Sequence, residues 1–135
     1  MERCQKIFAA KKEIYPEILS FILQQAKEAG LSDLLTLQFA VEEIVVNIIS
    51  YAYPLDVNGE LEVECWVEQE RFYLQLSDWG IEFNPLNAVN KPAEASLEDM
   101  PVGGLGIFLT ANLLDDMNYS RAEEKNILQL SVALN

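Results

Sequence analysis

Glu43 and Asn47 stand four positions apart and are separated only by apolar residues. On a helix, residues at this spacing lie on the same side, one turn from each other. A carboxylate can activate an oxygen nucleophile and an amide oxygen can bind a hard cation, a combination that suits magnesium-dependent phosphate chemistry. The spacing also fits a glutamate that reaches solvent and an asparagine that caps a local backbone group, so the pair alone leaves both interpretations open.

A second candidate is Asp78-Trp79-Gly80, which follows a segment of alternating apolar residues. A carboxylate at the end of a strand can accept a hydrogen bond from an exocyclic amine. Gly80 has no side chain, which lets a flat ligand approach the backbone. The structural alternative is an ordinary Asx turn, in which the aspartate binds its own backbone two residues on.

The third candidate is the glycine-rich stretch Gly103-Gly104-Leu105-Gly106, which precedes a predicted helix over 106–114. Backbone amides and the positive end of a helix can converge there on an anion such as phosphate. The stretch lacks the Lys-Ser/Thr ending of a P-loop and does not match the dinucleotide-binding fingerprint. The alternative is that these glycines only end the preceding loop.

The elements that must position these residues follow from hydrophobic periodicity and from turn residues. The pattern predicts a strand at 7–10, a helix from Pro16 to Gly30, a buried helix capped by Ser32 and ended by Pro54, an antiparallel hairpin over 61–78, and a closing hairpin over 117–134. Helices on one face of a mixed, mainly antiparallel sheet form a two-layer α+β sandwich. We expect a single domain over 1–135, with the Pro-containing segment at about 84–102 as a lid.

Composition excludes several classes of protein. The chain has 135 residues, 50% of them hydrophobic, and a formal net charge of −13. Such a charge argues against nucleic acid and anionic membranes as partners. Cys4 and Cys65 have neither zinc-site spacing nor the density of a disulfide scaffold, and the amino-terminal apolar run is too short for a signal peptide. We expect reduced thiols, no membrane span and a cytoplasmic location.

Taken together, the three candidates resemble the GHKL ATPase superfamily. Its N box matches Glu43 with Asn47, its G1 box matches Asp78-x-Gly80 with Phe83, and its G2 box matches Gly104-x-Gly106. Within that superfamily the chain is most similar to the stand-alone bacterial anti-sigma factor and serine-protein kinase family. The stretches that carry this similarity are Ala40–Asn47, Phe83–Leu86 and Pro101–Leu109, with Asp115-Asp116 and Tyr119 after them.

The resemblance implies a histidine-kinase-like ATPase fold that binds ATP and Mg²⁺. It implies that Glu43 is the general base, that Asn47 coordinates magnesium, and that Asp78 holds the adenine amino group beside Gly80 and Phe83. The amides of Gly103, Gly104, Leu105 and Gly106 would cradle phosphate. The implied partners are an anti-anti-sigma protein phosphorylated on serine and a sigma factor, and a homodimer is also expected because family members often dimerise.

The sequence departs from this family in its scarcity of basic residues. Lys91 is the only Lys or Arg between Arg71 and Arg121, whereas relatives commonly carry a cation near the end of the lid. Phosphoryl transfer relies on electrostatic stabilisation of the phosphate oxygens, so magnesium and backbone amides must do more here. The alternative function is therefore a non-catalytic module that binds nucleotide and sequesters a protein partner.

Overall fold

The described residues, 3–54, 57–82 and 116–134 of this computed structural model, form two helices packed on one face of an antiparallel sheet. The elements in chain order are β1 (Cys4–Ala9), α1 (Tyr15–Ala29), α2 (Leu34–Tyr51), β2 (Glu60–Glu68), β3 (Arg71–Asp78), β4 (Asp116–Ala122) and β5 (Lys125–Ala133). The strand order across the sheet is β1-β2-β3-β5-β4. The predicted α+β sandwich is confirmed.

Neighbouring strands of the described sheet all run antiparallel, in line with the mainly antiparallel sheet that the sequence predicted, and no parallel pair is seen among them. Both predicted hairpins are present. Gln69 and Glu70 join β2 to β3, Glu123 and Glu124 join β4 to β5, and all four residues have positive φ angles of 53° or 63°. Two-residue turns of this kind match the right-handed twist of the flanking strands, although Asn-Gly is the usual sequence for them.

Helix α1 follows the predicted pattern closely. Pro16 lies in its first turn, and Gly30 ends it in the left-handed region with φ of 93°. Its buried residues, Ile18, Ile22 and Ala26, repeat at helical spacing and face the core. An amphipathic pattern with a left-handed glycine stop is thus sufficient to define this helix.

The cap of α2 differs from the prediction. Asp33, and not Ser32, is the capping residue, and its Oδ1 accepts a hydrogen bond of 3.0 Å from the backbone N–H of Thr36. Asp33 directly precedes the first helical residue, so its side chain reaches the amide three positions on. Ser32 lies one residue too early for that contact.

Helix α2 is long and apolar, with a mean hydropathy of 1.4 over 18 residues, and by length and composition alone it is sufficient to cross a membrane. In this fold its apolar face belongs to the protein core. Leu37, Ala40, Val41, Ile44 and Val45 are at most 1% exposed and pack in one cluster with the inward-facing residues of the sheet. The buried face of α2 is therefore part of the core.

Two sequence predictions concern residues outside the described ranges. These are the lid at about 84–102 and the helix at 106–114. Elsewhere the difference is small, since β1 begins at Cys4 rather than Ile7. No disulfide joins Cys4 to Cys65.

Candidate functional site

Glu43 and Asn47 lie along one border of the buried face of α2. Asn47 is 7% exposed, and Glu43, one turn earlier, is half-buried. In the part of the chain that the structure describes, no hydrogen bond reaches either side chain. The alternative in which Asn47 caps a backbone group is therefore not seen among these residues.

The phenol of Tyr15 lies near the carboxylates of this helix. Burial raises the pKa of Tyr15, and the negative charges of Glu42 and Glu43 raise it further. Glu42 itself is exposed to solvent. Tyr15, in the first turn of α1, is therefore close enough to Glu43 for the charge of this carboxylate to act on the phenol.

Asp78, the last residue of β3, is only 4% exposed. Its Oδ1 accepts two hydrogen bonds, of 3.0 Å from the backbone N–H of Gly80 and of 2.9 Å from Nδ2 of Asn126. The first bond is the Asx turn that the sequence offered as the structural alternative. No hydrogen bond from the described residues reaches Oδ2, which leaves that oxygen for a further donor.

Asn126 is a residue of this cluster that the sequence analysis missed. It is 6% exposed and stands directly opposite Asp78 in the pairing of β5 with β3. Its Nδ2 also donates to the carbonyl oxygen of Ile81 at 2.7 Å, and its Oδ1 accepts from the hydroxyl of Tyr119 at 2.6 Å. The signal was a polar residue at an inward position of a strand whose next inward residues are Leu128 and Leu130.

The loop that follows Asp78 is fixed against the end of α2. The N–H of Ile81 donates to the carbonyl oxygen of Ala52 at 2.9 Å. The N–H of Trp79 donates to the hydroxyl of Tyr53 at 2.8 Å, and this hydroxyl donates to the carbonyl oxygen of Glu60 at 2.7 Å. Burial is the main reason why the pKa of Tyr53 is raised.

Gly80 is needed here because of space. A Cβ at this position would overlap the backbone carbonyl of Ala52, and Gly80 is not in the left-handed region. The sequence argument gave the close approach of a flat ligand as the reason for this glycine. The structure supplies a reason that requires no ligand, namely the close packing of the loop on the end of α2.

A groove of about 400 Å³ lies beside this loop, and its lining includes Tyr53, Trp79, Ile81 and Arg121. Arg121 donates from Nη1 to the carbonyl oxygen of Gly80 at 2.9 Å, so this cation is engaged beside the loop. Asp78 is not among the residues that line the groove. The groove is therefore adjacent to the Asp78 carboxylate and does not contain it.

The remaining predicted site residues lie outside the described ranges. They are Phe83, Gly103, Gly104, Leu105 and Gly106, so the phosphate end of the site stays a prediction. Among the described residues no group of three or more Asp, Glu, Cys or His side chains is arranged to hold a metal ion. Asn47 offers an amide oxygen and Glu43 and Asp78 offer carboxylate oxygens, all of kinds that hard cations bind. Mg²⁺ usually takes few protein ligands together with phosphate oxygens.

The described site residues follow α2 in a defined order. The Asp78 loop contacts Ala52 at the carboxyl end of this helix. With a rise of about 1.5 Å per residue, Asn47 lies about 7.5 Å and Glu43 about 13.5 Å further back along the helix axis. The carboxylate of Asp78, the amide of Asn47 and the carboxylate of Glu43 thus succeed one another along this helix.

Comparisons with known proteins identify the family of this chain. The family model for the histidine kinase-like ATPase domain matches residues 8–132. Serine-protein kinase RsbW of Bacillus cereus (strain AH187) is 30% identical, over 95% of this chain and 85% of that protein. Serine-protein kinase RsbW of Bacillus anthracis (strain A0248) has the same identity and coverage.

Among solved structures, histidine kinase AdeS of Acinetobacter baumannii is similar with a TM-score of 0.53. The match covers 100% of this chain and 70% of that chain at 16% sequence identity, so it supports the fold alone. The family match and the RsbW relatives cover nearly the whole chain. This protein therefore belongs to the histidine kinase-like ATPase domain family, in the group of RsbW-type serine-protein kinases.

Proposed function

We propose that this protein binds ATP with Mg²⁺ and phosphorylates a serine of an anti-anti-sigma protein, as part of a partner-switching regulator of a sigma factor. The observation that carries the nucleotide part is the carboxylate of Asp78. Its Oδ1 is occupied by donors of the chain, whereas no described donor reaches Oδ2. An exocyclic amino group of adenine is the kind of donor that this oxygen could take.

ATP with Mg²⁺ would supply the transferable phosphoryl group and the cation that neutralises its charge. In this proposal Asp78 accepts from the adenine amine, with Gly80 and Phe83 beside the ring. Asn47 contributes its amide oxygen to Mg²⁺. The backbone amides of the stretch 103–106 hold the phosphates.

Glu43 is proposed as the general base that accepts the proton of the partner's serine hydroxyl. Its place supports this role, because it is half-buried near the middle of α2, one turn further from the Asp78 loop than Asn47. The exposed neighbour Glu42 provides a carboxylate of the same kind that we assign no role.

The names of the RsbW relatives support the serine-protein kinase activity. We infer a single domain over 1–135 with a lid at about 84–102, a cytoplasmic location, and a homodimer as the assembly. A net charge of −13 repels ATP at long range, so we infer that ATP binding depends steeply on magnesium.

The first experiment is calorimetric titration of nucleotide-stripped protein with ATP, with and without Mg²⁺. The unmodified protein should bind only weakly without Mg²⁺. Asn47→Ala should bind MgATP at least about 10-fold more weakly, because it removes a cation ligand. Gln38→Ala, an exposed position on the same helix, is the matched control.

Each result has a defined meaning. Absence of ATP binding with folded protein and Mg²⁺ present would overturn the proposal. ATP binding that responds neither to Mg²⁺ nor to Asn47→Ala would remove Asn47 from the metal site.

A second candidate function is a non-catalytic module that uses ATP to sequester its partner. The scarcity of cations between Arg71 and Arg121 favours it, because little positive charge is then available to stabilise the transferred group. Incubation with γ-labelled ATP and an anti-anti-sigma protein of the same organism separates the two functions. Labelled partner supports the kinase, and a stable complex without label supports the module.

A further inference from the structure

Asn126 connects three parts of the site. From β5, its Nδ2 donates to Oδ1 of Asp78 at 2.9 Å and to the carbonyl oxygen of Ile81 at 2.7 Å. Its Oδ1 accepts from the Tyr119 hydroxyl at 2.6 Å. The side chain is 6% exposed, so these contacts are made almost without water.

The orientation of this amide follows from its partners. The carboxylate of Asp78 and the carbonyl of Ile81 are both acceptors, so the NH₂ group must face them. A flipped amide would place its carbonyl oxygen against both and would leave the Tyr119 hydroxyl facing NH₂. The two acceptors therefore fix the orientation of the amide, and Asn126 presents a donor to Asp78.

This fixed donor sets the direction of the other carboxylate oxygen. Oδ1 of Asp78 is held between Nδ2 of Asn126 and the N–H of Gly80, which restricts rotation of the carboxylate about its Cβ–Cγ bond. Oδ2 then points in one direction as an acceptor. A base that places an N–H donor there is favoured, and a base that places a carbonyl oxygen there is rejected because two acceptors meet in a site with little water.

We propose that Asn126, held by Tyr119, is a positioning residue that makes the pocket selective for purines with a 6-amino group. This inference rests on the proposed function, because it assumes that Asp78 faces the base. It adds a specificity role for a residue of the closing hairpin.

Three nucleotides test the proposal: ATP, inosine triphosphate with a 6-oxo group, and purine riboside triphosphate with hydrogen at that position. Affinities for each with Mg²⁺ are measured for the unmodified protein, Asn126→Ala, Tyr119→Phe and the control Gln129→Ala. Gln129 is on the same strand but faces the opposite side of the sheet. The unmodified protein should prefer ATP over purine riboside triphosphate by about 10- to 100-fold, the usual effect of one hydrogen bond to a charged group.

In Asn126→Ala this preference should fall to less than about 5-fold, with ATP weakened and purine riboside triphosphate little changed. Tyr119→Phe should show a smaller loss, of about 3-fold in the same ratio, and Gln129→Ala should show none. Tyr119→Phe removes only one hydroxyl. If Asn126→Ala does not fold, the ratio of the affinities for ATP and purine riboside triphosphate in Tyr119→Phe tests the proposal instead.

Equal weakening of ATP and purine riboside triphosphate in both variants would show that Asn126 only stabilises the fold, and would overturn the inference. An unmodified protein that binds ATP without preferring it would also overturn it and would leave the proposed ATP binding standing. An unmodified protein that binds no ATP would overturn the proposed function and this inference together.

Discussion

At the end of β3 the carboxylate of Asp78 receives hydrogen bonds from Gly80 and Asn126, whereas on α2 no described residue forms a hydrogen bond with the side chain of Glu43 or of Asn47. The first region has its geometry set by the protein. The second presents polar groups whose partners, in our proposal, arrive with the ligand. Under the proposed function, the site is fixed by the protein where it recognises the base and is completed by the ligand where it handles phosphate.

The largest effect is expected in the region of Glu43 and Asn47, which we call the open end of the site. Glu43→Gln keeps the size of the side chain but removes the proposed base, so phosphate transfer to an anti-anti-sigma partner should fall by about 10²- to 10⁴-fold. The affinity for MgATP should stay within about 3-fold. Transfer is measured with γ-labelled ATP and affinity by calorimetry.

Glu42→Gln is the matched control, because it removes an exposed carboxylate of the same helix turn. It should leave both quantities nearly unchanged. Equal losses of ATP affinity and of transfer in Glu43→Gln would contradict the assigned role. They would mean that Glu43 contributes to ATP binding, as Asp78 is proposed to do.

The second prediction concerns the region of Asp78, which we call the rigid end of the site. Asp78→Asn replaces an acceptor oxygen with an amide donor, so ATP affinity should fall by about 10- to 100-fold. Glu82→Gln, an exposed carboxylate four positions on, is the control and should have no effect. Unchanged ATP affinity in Asp78→Asn would mean that the adenine base does not contact Asp78.

The third prediction tests whether the rigid end depends on close packing. Gly80→Ala should lower the free energy of unfolding by about 2 kcal/mol, because its Cβ would overlap the carbonyl of Ala52. Urea denaturation measures this loss. The double variant Gly80→Ala/Ala52→Gly should remain destabilised, since the obstructing carbonyl oxygen is still present, and full recovery would show that the methyl group of Ala52 was the obstacle.

The smallest effect is a dependence on pH. Burial raises the pKa of Tyr53 in the folded protein, so the neutral phenol is favoured by folding. Its contribution to stability is complete below the unfolded pKa of about 10 and is lost as the pH rises through the folded value. Tyr53→Phe should lose about 1 kcal/mol at neutral pH, because two hydrogen bonds are removed, and should show a flatter decline above pH 10.

The measurement is urea denaturation between pH 7 and about pH 11.

Tyr15→Phe extends the comparison to the other region, because the raised pKa of Tyr15 depends in part on Glu42 and Glu43. Combining Glu43→Gln with Tyr15→Phe should change the pH profile by less than the sum of the single changes. Identical profiles for Tyr53→Phe and the unmodified protein would mean that this phenol does not contribute.

Local signals in the sequence were sufficient for most of the fold. Alternation with period two gives both hairpins, and helical spacing before Gly30 gives α1. They were not sufficient where two neighbouring residues offer the same chemistry. Ser32 and Asp33 are both good caps, and only the position of the first helical residue decides between them.

The site was predictable as far as its residues lie in short motifs. Asp78 and Gly80 are adjacent in sequence and form the expected turn, whereas Asn126 meets Asp78 only through the register of two strands. Its separation of 48 residues gives no local pattern to read. The space requirement at Gly80 was missed for the same reason, since the obstructing carbonyl belongs to the end of α2.

The bond between Asp78 and Asn126 also constrains the order in which the protein folds. Strand β5 inserts between β3 and β4, so the sheet contains pairings that span a long stretch of chain. Contacts of large sequence separation require loop closure before they stabilise the fold and tend to form late. During synthesis, a chain that has emerged only a little beyond β3 therefore has Asp78 and Gly80 but lacks the Asn126 donor. We expect nucleotide binding to appear only when the closing hairpin docks.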